Sequence, residues 1–272
     1  MGGGVLAMFE IFQYQFMLNA ILAGAVIAVL ASVSGSFMVL RRYSLMTETL
    51  AHSALVGVAL GIISGLSPLW MAVGVALVSA WSIEYLRSFY NLYSDAVLAI
   101  FLSASLALAV IIVSLAGAFN SSLFSYLFGS ILSVTADDVF LIVGFGSVAM
   151  ALLAYFHREL YFIAFDEEVA QVSGIPVKRL NFMMVSIVAV IIALSIQIVG
   201  TLLIGALMVM PTVAALRFRQ GFGKTVLLAV FFALLSVFAG MMLSFYLSLP
   251  SGATIVLCIL AIFIISLVVN RR

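Results

Sequence analysis

An acid and a histidine four residues apart, Glu48 and His52, stand in the apolar stretch RRYSLMTETLAHSALVGVALG. On a helix that spacing stacks both side chains on one face, one turn above the other. A carboxylate with an imidazole is a ligand set suited to zinc, manganese or iron. One pair supplies only two ligands, so a bound ion needs a second copy of the chain or must keep water. An open shell suits transport, because a closed four-ligand site would hold its ion too tightly to release it. The same two residues could instead form a proton relay, or a plain Glu–His hydrogen bond that fastens helices and involves no ion. Spacing alone does not separate the three.

Composition sets the elements that carry this pair. Of the 272 residues, 66% are hydrophobic and 8% charged, against roughly half and a quarter in soluble domains. Such a chain has too few polar groups to cover a surface, so lipid is its solvent. A crossing helix takes about 20 apolar residues, and such runs fall at 16–40, 45–64, 68–86, 95–116, 139–156, 180–216, 224–247 and 251–270. The chain is therefore predicted to be one all-α, polytopic transmembrane bundle over 1–272. Counting from Arg42 at about 1.5 Å per residue puts His52 roughly 15 Å deep, near mid-bilayer. On this count Glu48 is the one acid, and His52 the one histidine, deep within a span.

The run 180–216 is too long for one crossing, and Gln197 and Gly200 near its middle offer a place to reverse. The eleven basic residues choose. With an external N-terminus and two crossings there, Arg41, Arg42, Arg87, Arg158, Lys178, Arg179, Arg217, Arg219, Lys224, Arg271 and Arg272 all face one side. With a single crossing, Arg217, Arg219 and Lys224 land outside. The positive-inside rule favours nine membrane segments over eight, with the N-terminus outside and the C-terminus cytoplasmic. Pro68 and Pro250 mark external turns and Pro176 an internal loop. Pro211 lies within an apolar run after Gly200 and Gly205, and the three read as a kink or as a gating hinge.

Two segments fall outside this count. Residues 117–136 are too short and Ser-rich to cross, and read as a re-entrant or interfacial helix on the outer side. Asp137 and Asp138 follow as helix caps rather than cation ligands. The long polar segment 157–179, HRELYFIAFDEEVAQVSGIPVKR, has an acidic start at Asp166, Glu167 and Glu168 and an apolar stripe at Phe165, Val169 and Val172. Gly174 and Pro176 then stop it, giving a short cytoplasmic helix that either docks a soluble protein or merely connects two spans.

Several functions drop out. A net charge of +1 with no basic patch excludes a nucleic-acid partner. Cys258 lies alone in an apolar run and reads as a lipid or packing contact. The opening MGGGVLAMFEIFQYQ has no basic n-region or cleavage site, so no removable signal is expected, and Ala7 stands where a myristoylation motif needs a hydroxyl. There is no Walker-type glycine loop, so the chain is not expected to hydrolyse ATP. Gly57 and Gly61 permit close helix contact. Met208 and Met210 are soft ligands by chemistry but packing residues by habit.

Three stretches resemble the zinc/manganese/iron permeases of ATP-binding-cassette importers, in that family's order. VLRRYSLMTETLAHSALVGVALG is similar to the family's second-helix signature, FDEEVAQVSGIPVKRLN to its coupling segment, and VGTLLIGALMVMPTVAALRF to its glycine-containing, proline-ended segment. The likeness runs from about Leu18 to the end. It implies a homodimer in a plasma or inner membrane, each copy docked on a cytoplasmic ATP-binding-cassette ATPase through 166–174, with Asp166, Glu168, Ala170 and Gly174 as the coupling residues. It also implies an extracytoplasmic metal-binding protein that delivers the ion. Glu48 and His52 would be the metal-site residues near the dimer axis, with the ion as cargo and no permanently bound cofactor. Zinc comes first on the RRYSLM…TLAH wording, then manganese, then iron. The family's acid is typically Asp, and Glu48 is one methylene longer, which bears on site shape and metal preference. Two other classes compete: a proton- or cation-coupled secondary transporter that uses Glu48 and His52 as a relay, and a scaffold subunit with no transport path.

Overall fold

The computed structural model describes residues 14–90, 92–115 and 121–269. Every regular element among them is helical: α1 (Gln15–Leu40), α2 (Ser44–Ser64), α3 (Pro68–Tyr90), α4 (Ser94–Leu115), α5 (Ser121–Phe128), a 3₁₀ turn (Ile131–Ser133), α6 (Ala136–Tyr155), α7 (His157–Phe165), α8 (Glu167–Val172), α9 (Val177–Val199), α10 (Ile204–Leu216), α11 (Phe222–Leu247) and α12 (Ser251–Val269). Eight of these are long and apolar enough to cross a bilayer. The run 180–216 does break at Gly200, but unevenly. α9 takes 23 residues and α10 only 13, about 20 Å of helix against a core of about 30 Å. The return limb is a part-length helix, because 200–203 are used in the turn.

Lipid gives helices no hydrophobic reason to meet, so they meet where small residues let backbones approach. The buried face of α3 is Ala72, Ala76 and Ala80, and α11 likewise buries Ala229, Ala233 and Gly240. A Cβ on Gly57 of α2 would collide with the Met71 carbonyl and come within 2.6 Å of Ala72 Cα on α3. Gly35 of α1 lies as close to the main chain of Met208 on α10. Hydroxyls that lipid would leave unpaired bond one turn back, as Ser34 Oγ does to the Leu30 carbonyl at 2.6 Å. Others reach across, Ser36 to Thr212 at 3.1 Å and Ser53 to Ser105 at 2.9 Å. α2 and α9 are buried along most of their length, whereas α3, α4, α6, α11 and α12 turn apolar faces outward.

The helix ends sort by charge. Arg41 and Arg42 end α1, Arg87 lies in the last turn of α3, Lys178 and Arg179 open α9, Arg217 and Arg219 follow α10, and Lys224 opens α11. Contacts join these ends: Phe37 to Phe222 at 5.3 Å, Tyr161 to Phe222 at 4.9 Å, and Lys178 Nζ over the Phe89 ring at 4.6 Å. With Arg158 at the start of α7, the basic residues among the described residues gather at one end. Residues 1–13, with Glu10, and Arg271 and Arg272 lie outside the described residues. The opposite end holds α5 and the 3₁₀ turn, as expected for 117–136, of which 117–120 also lie outside. There Thr135 and Asp138 cap α6 reciprocally: Thr135 Oγ1 accepts from the Asp138 N–H at 3.2 Å, and Asp138 Oδ2 from the Thr135 N–H at 3.0 Å.

Candidate functional site

α2 follows a three-residue corner, Arg41–Arg42–Tyr43, in which Arg42 takes a positive φ of 60°. Over 44–59 the helix is buried except at its first turns, where Leu45 and Glu48 are exposed. An exposed carboxylate on a membrane helix demands a cavity or a partner. Glu48 faces an open groove of about 330 Å³ between α2 and the α9–α10 turn, lined by Thr47, Thr201, Leu202, Gly205, Ala206, Val209 and Met210 among others. One turn on, His52 is 4% exposed and its Nδ1 is buried with no hydrogen-bond partner. A carboxylate thus stands at the groove, and an imidazole with one unsatisfied ring nitrogen stands behind it. Among the described residues no group of three or more His, Cys, Asp or Glu side chains comes together to hold an ion. Met210 lines the groove, whereas Met208 is fully buried against Gly35 and is a packing residue.

The three residues read as a kink or hinge stand in three different local settings. Gly200 ends α9 with φ 87° and ψ 155°, a conformation essentially restricted to glycine. It sits beside the α5 end, where its Cβ would come within 2.6 Å of Phe128 C and 2.7 Å of Gly129 N. The turn is laced to that segment by main-chain hydrogen bonds: Thr201 N–H to the Tyr126 carbonyl (2.9 Å), Leu202 N–H to Leu127 (3.3 Å) and Ser130 N–H to Gln197 (2.9 Å). Ser251 Oγ donates to the Ile198 carbonyl at 2.9 Å and brings in the start of α12. Gly205 lies in the first turn of α10, where a Cβ would stand 3.3 Å from Thr47 Oγ1 and 3.7 Å from Glu48 N. Pro211 is buried within α10, which continues through it.

The polar segment 157–179 forms two helices rather than one. Asp166 separates them as the N-cap of α8, its Oδ1 accepting from the Val169 N–H at 2.9 Å. Ala170 is fully buried, Gly174 turns the chain at φ 84°, and Phe165, Glu168, Val169 and Val172 are exposed. Glu167, which the sequence shows only as one of three acids at the helix start, reaches across to three other helices. It pairs with Arg41 at 3.2 Å and Arg87 at 3.3 Å, and accepts from Asn181 Nδ2 at 2.9 Å. Burial alone would raise its carboxyl pKa, but Arg87 and Arg41, with hydrogen bonds from Arg87 and Asn181, hold it below the ordinary carboxylate value. Behind it Glu84 is 1% exposed and takes Arg87 in a fork, Nη2 to Oε1 at 2.7 Å and Nε to Oε2 at 3.1 Å. The three-residue spacing of Glu84 and Arg87 was the available signal for that pair. Nothing local marks Glu167 out from its neighbours in the DEE run.

The model of the ABC 3 transport family matches residues 13–270. The chain is 35% identical to a Treponema pallidum protein named "Probable metal transport system membrane protein", over 93% of this chain and 95% of that one. It is 32% identical to the Haemophilus influenzae "High-affinity zinc uptake system membrane protein ZnuB", over 96% and 100%, and 28% identical to the Listeria monocytogenes "Manganese transport system membrane protein MntC", over 93% and 90%. Its fold is similar to PsaBC from Streptococcus pneumoniae, solved in complex with Fab, with a TM-score of 0.85 and 29% identity over 96% of this chain and 95% of that chain. Helices and matches agree: the chain belongs to the ABC 3 transport family, as a transmembrane permease of an ATP-binding-cassette system.

Proposed function

We propose that the chain carries a divalent transition-metal ion into the cytoplasm by alternating access, as a homodimer powered by a separate ATPase docked on α8. An extracytoplasmic metal-binding protein delivers the ion. The observation that carries this reading is Glu48 exposed at a groove with His52, its Nδ1 buried and without a hydrogen-bond partner, one turn behind it. One copy offers two ligands, and two copies related by symmetry offer four, the number a tetrahedral ion takes. The relatives named for zinc and manganese support a transition metal as cargo, and we place zinc first, then manganese, then iron. The gathering of basic residues at one end supports a cytoplasmic location for that end in a plasma or inner membrane. Family membership weighs against a proton- or cation-coupled carrier built on the same two residues.

The test is radiometal uptake by the reconstituted complex across zinc, manganese and ferrous iron. His52→Ala is expected to abolish uptake while leaving membrane insertion and ATPase binding intact. Normal uptake by that variant would remove the site, and uptake without the ATPase would restore the carrier reading.

A further inference from the structure

Glu167 holds the ends of three membrane helices to α8: Arg41 closes α1, Arg87 lies in the last turn of α3, and Asn181 is the fifth residue of α9. The two arginine side chains are 5% and 14% exposed. Tyr43, the residue immediately before α2, has its ring within 4.9 Å of the Arg41 guanidinium and 5.2 Å of that of Arg87. The cluster is charge-balanced: Arg41 and Arg87 against Glu84 and Glu167. It uses only the inward side of α8, leaving Glu168, Val169 and Val172 exposed on the outer side. The base of α2 is therefore gripped by two cations, Arg41 held by Glu167 of α8 and Arg87 shared between Glu167 and Glu84 of α3, and Glu48 lies about one turn beyond that base.

We propose that Glu167 is a positioning residue that makes α8 and the base of α2 move as one body. A push on α8 then reaches Glu48 and His52 through Arg41, Arg87 and Tyr43. The origin of the push rests on the importer reading, but the mechanical link does not. Neutralising Glu167 leaves Arg41 without its ion-pair partner and lets the two elements move separately.

The experiment compares wild type, Glu167→Gln and Glu167→Asp as full complexes in proteoliposomes, with zinc and manganese as probes. Glu167→Gln is expected to copurify with the ATPase and hydrolyse ATP within about twofold of wild type, yet move at least about tenfold fewer ions per ATP. Glu167→Asp, which keeps the charge, falls between. An unchanged ion-to-ATP ratio overturns the proposal, and so does loss of ATPase copurification, which would make Glu167 part of the docking surface. Hydrogen exchange on the permease gives a second measure that needs no transport. The amides of Arg41, Arg42, Tyr43 and Met46 are hydrogen-bonded at the corner. In Glu167→Gln their exchange is expected to rise at least about fivefold together with that of 166–172. A rise confined to 166–172 overturns the link. If the wild-type complex moves no metal, the importer reading fails while exchange still decides the clamp.

Discussion

Replacing Gly200 by alanine puts a methyl group on the one residue whose backbone makes the α9–α10 reversal. Its φ of 87° and ψ of 155° lie in the glycine region, where another residue costs about 1–3 kcal/mol. The new Cβ meets main chain rather than a flexible side chain, 2.6 Å from Phe128 C, so no rotamer change relieves it. Shifting the turn away strains the hydrogen bonds from Thr201 and Leu202 to α5, each worth about 0.5–1.5 kcal/mol. The sum is about 2–6 kcal/mol. Gly174→Ala is the control, since its φ of 84° is also positive but a Cβ there meets nothing, leaving only a left-handed cost of about 1–2 kcal/mol. Thermal unfolding of the detergent-solubilised protein reports both variants, and at about 2–4 °C per kcal/mol Gly200→Ala should unfold well below Gly174→Ala. Amide exchange over 126–130 should rise in Gly200→Ala alone. If the two variants unfold together, or if 126–130 stay protected, the turn is not held as described.

Two further outcomes follow from the charged cluster. Glu84→Gln leaves Arg87 buried without its fork and should cost about 3–5 kcal/mol, whereas joint Glu84→Leu and Arg87→Met replacement should cost less; chemical unfolding of both tests this, and equal losses refute it. Glu167 has a depressed carboxyl pKa, so its stabilising contribution is present above the unfolded value of about 4.3 and is lost as pH falls through the lower folded value. Exchange protection of α8, corrected for intrinsic rates, should stay level from neutral to mildly acid solution and fall only in stronger acid. A loss already complete near neutral pH would contradict this.

Local periodicity carried much of the fold. The run at 45–64 became Ser44–Ser64 and that at 68–86 became Pro68–Tyr90, because length, hydropathy and turn residues act within one segment. The reversal in 180–216 was visible for the same reason, as Gly200 interrupts an overlong run. What the sequence withheld is tertiary. Glu167 meets Arg41 and Arg87 across 126 and 80 residues, and no local pattern encodes such a meeting. Glu84 reads as an interfacial acid until the packing of α2, α3 and α4 closes over it. The exposure of Glu48 is likewise not encoded in α2 alone, since it comes from the groove left between α2 and the α9–α10 turn. The acidic start at Asp166 does mark the N-terminus of α8, but nothing local in HRELYFIAF sets α7 apart as a helix of its own.

The gathering of basic residues at one end also governs how two copies can meet. A chain with evenly spread charge can insert in either direction and pair head to tail, burying unlike surfaces against each other. Here inversion would drag the charges of Arg41, Arg42, Arg87, Lys178 and Arg179 across the hydrocarbon core, each strongly opposed at its centre. Insertion therefore delivers every copy in the same sense, and the only two-fold axis open to a pair runs along the membrane normal. About such an axis Glu48 of each copy lies at one common depth, so in the proposed dimer biogenesis itself brings the two carboxylates into register before any ion arrives.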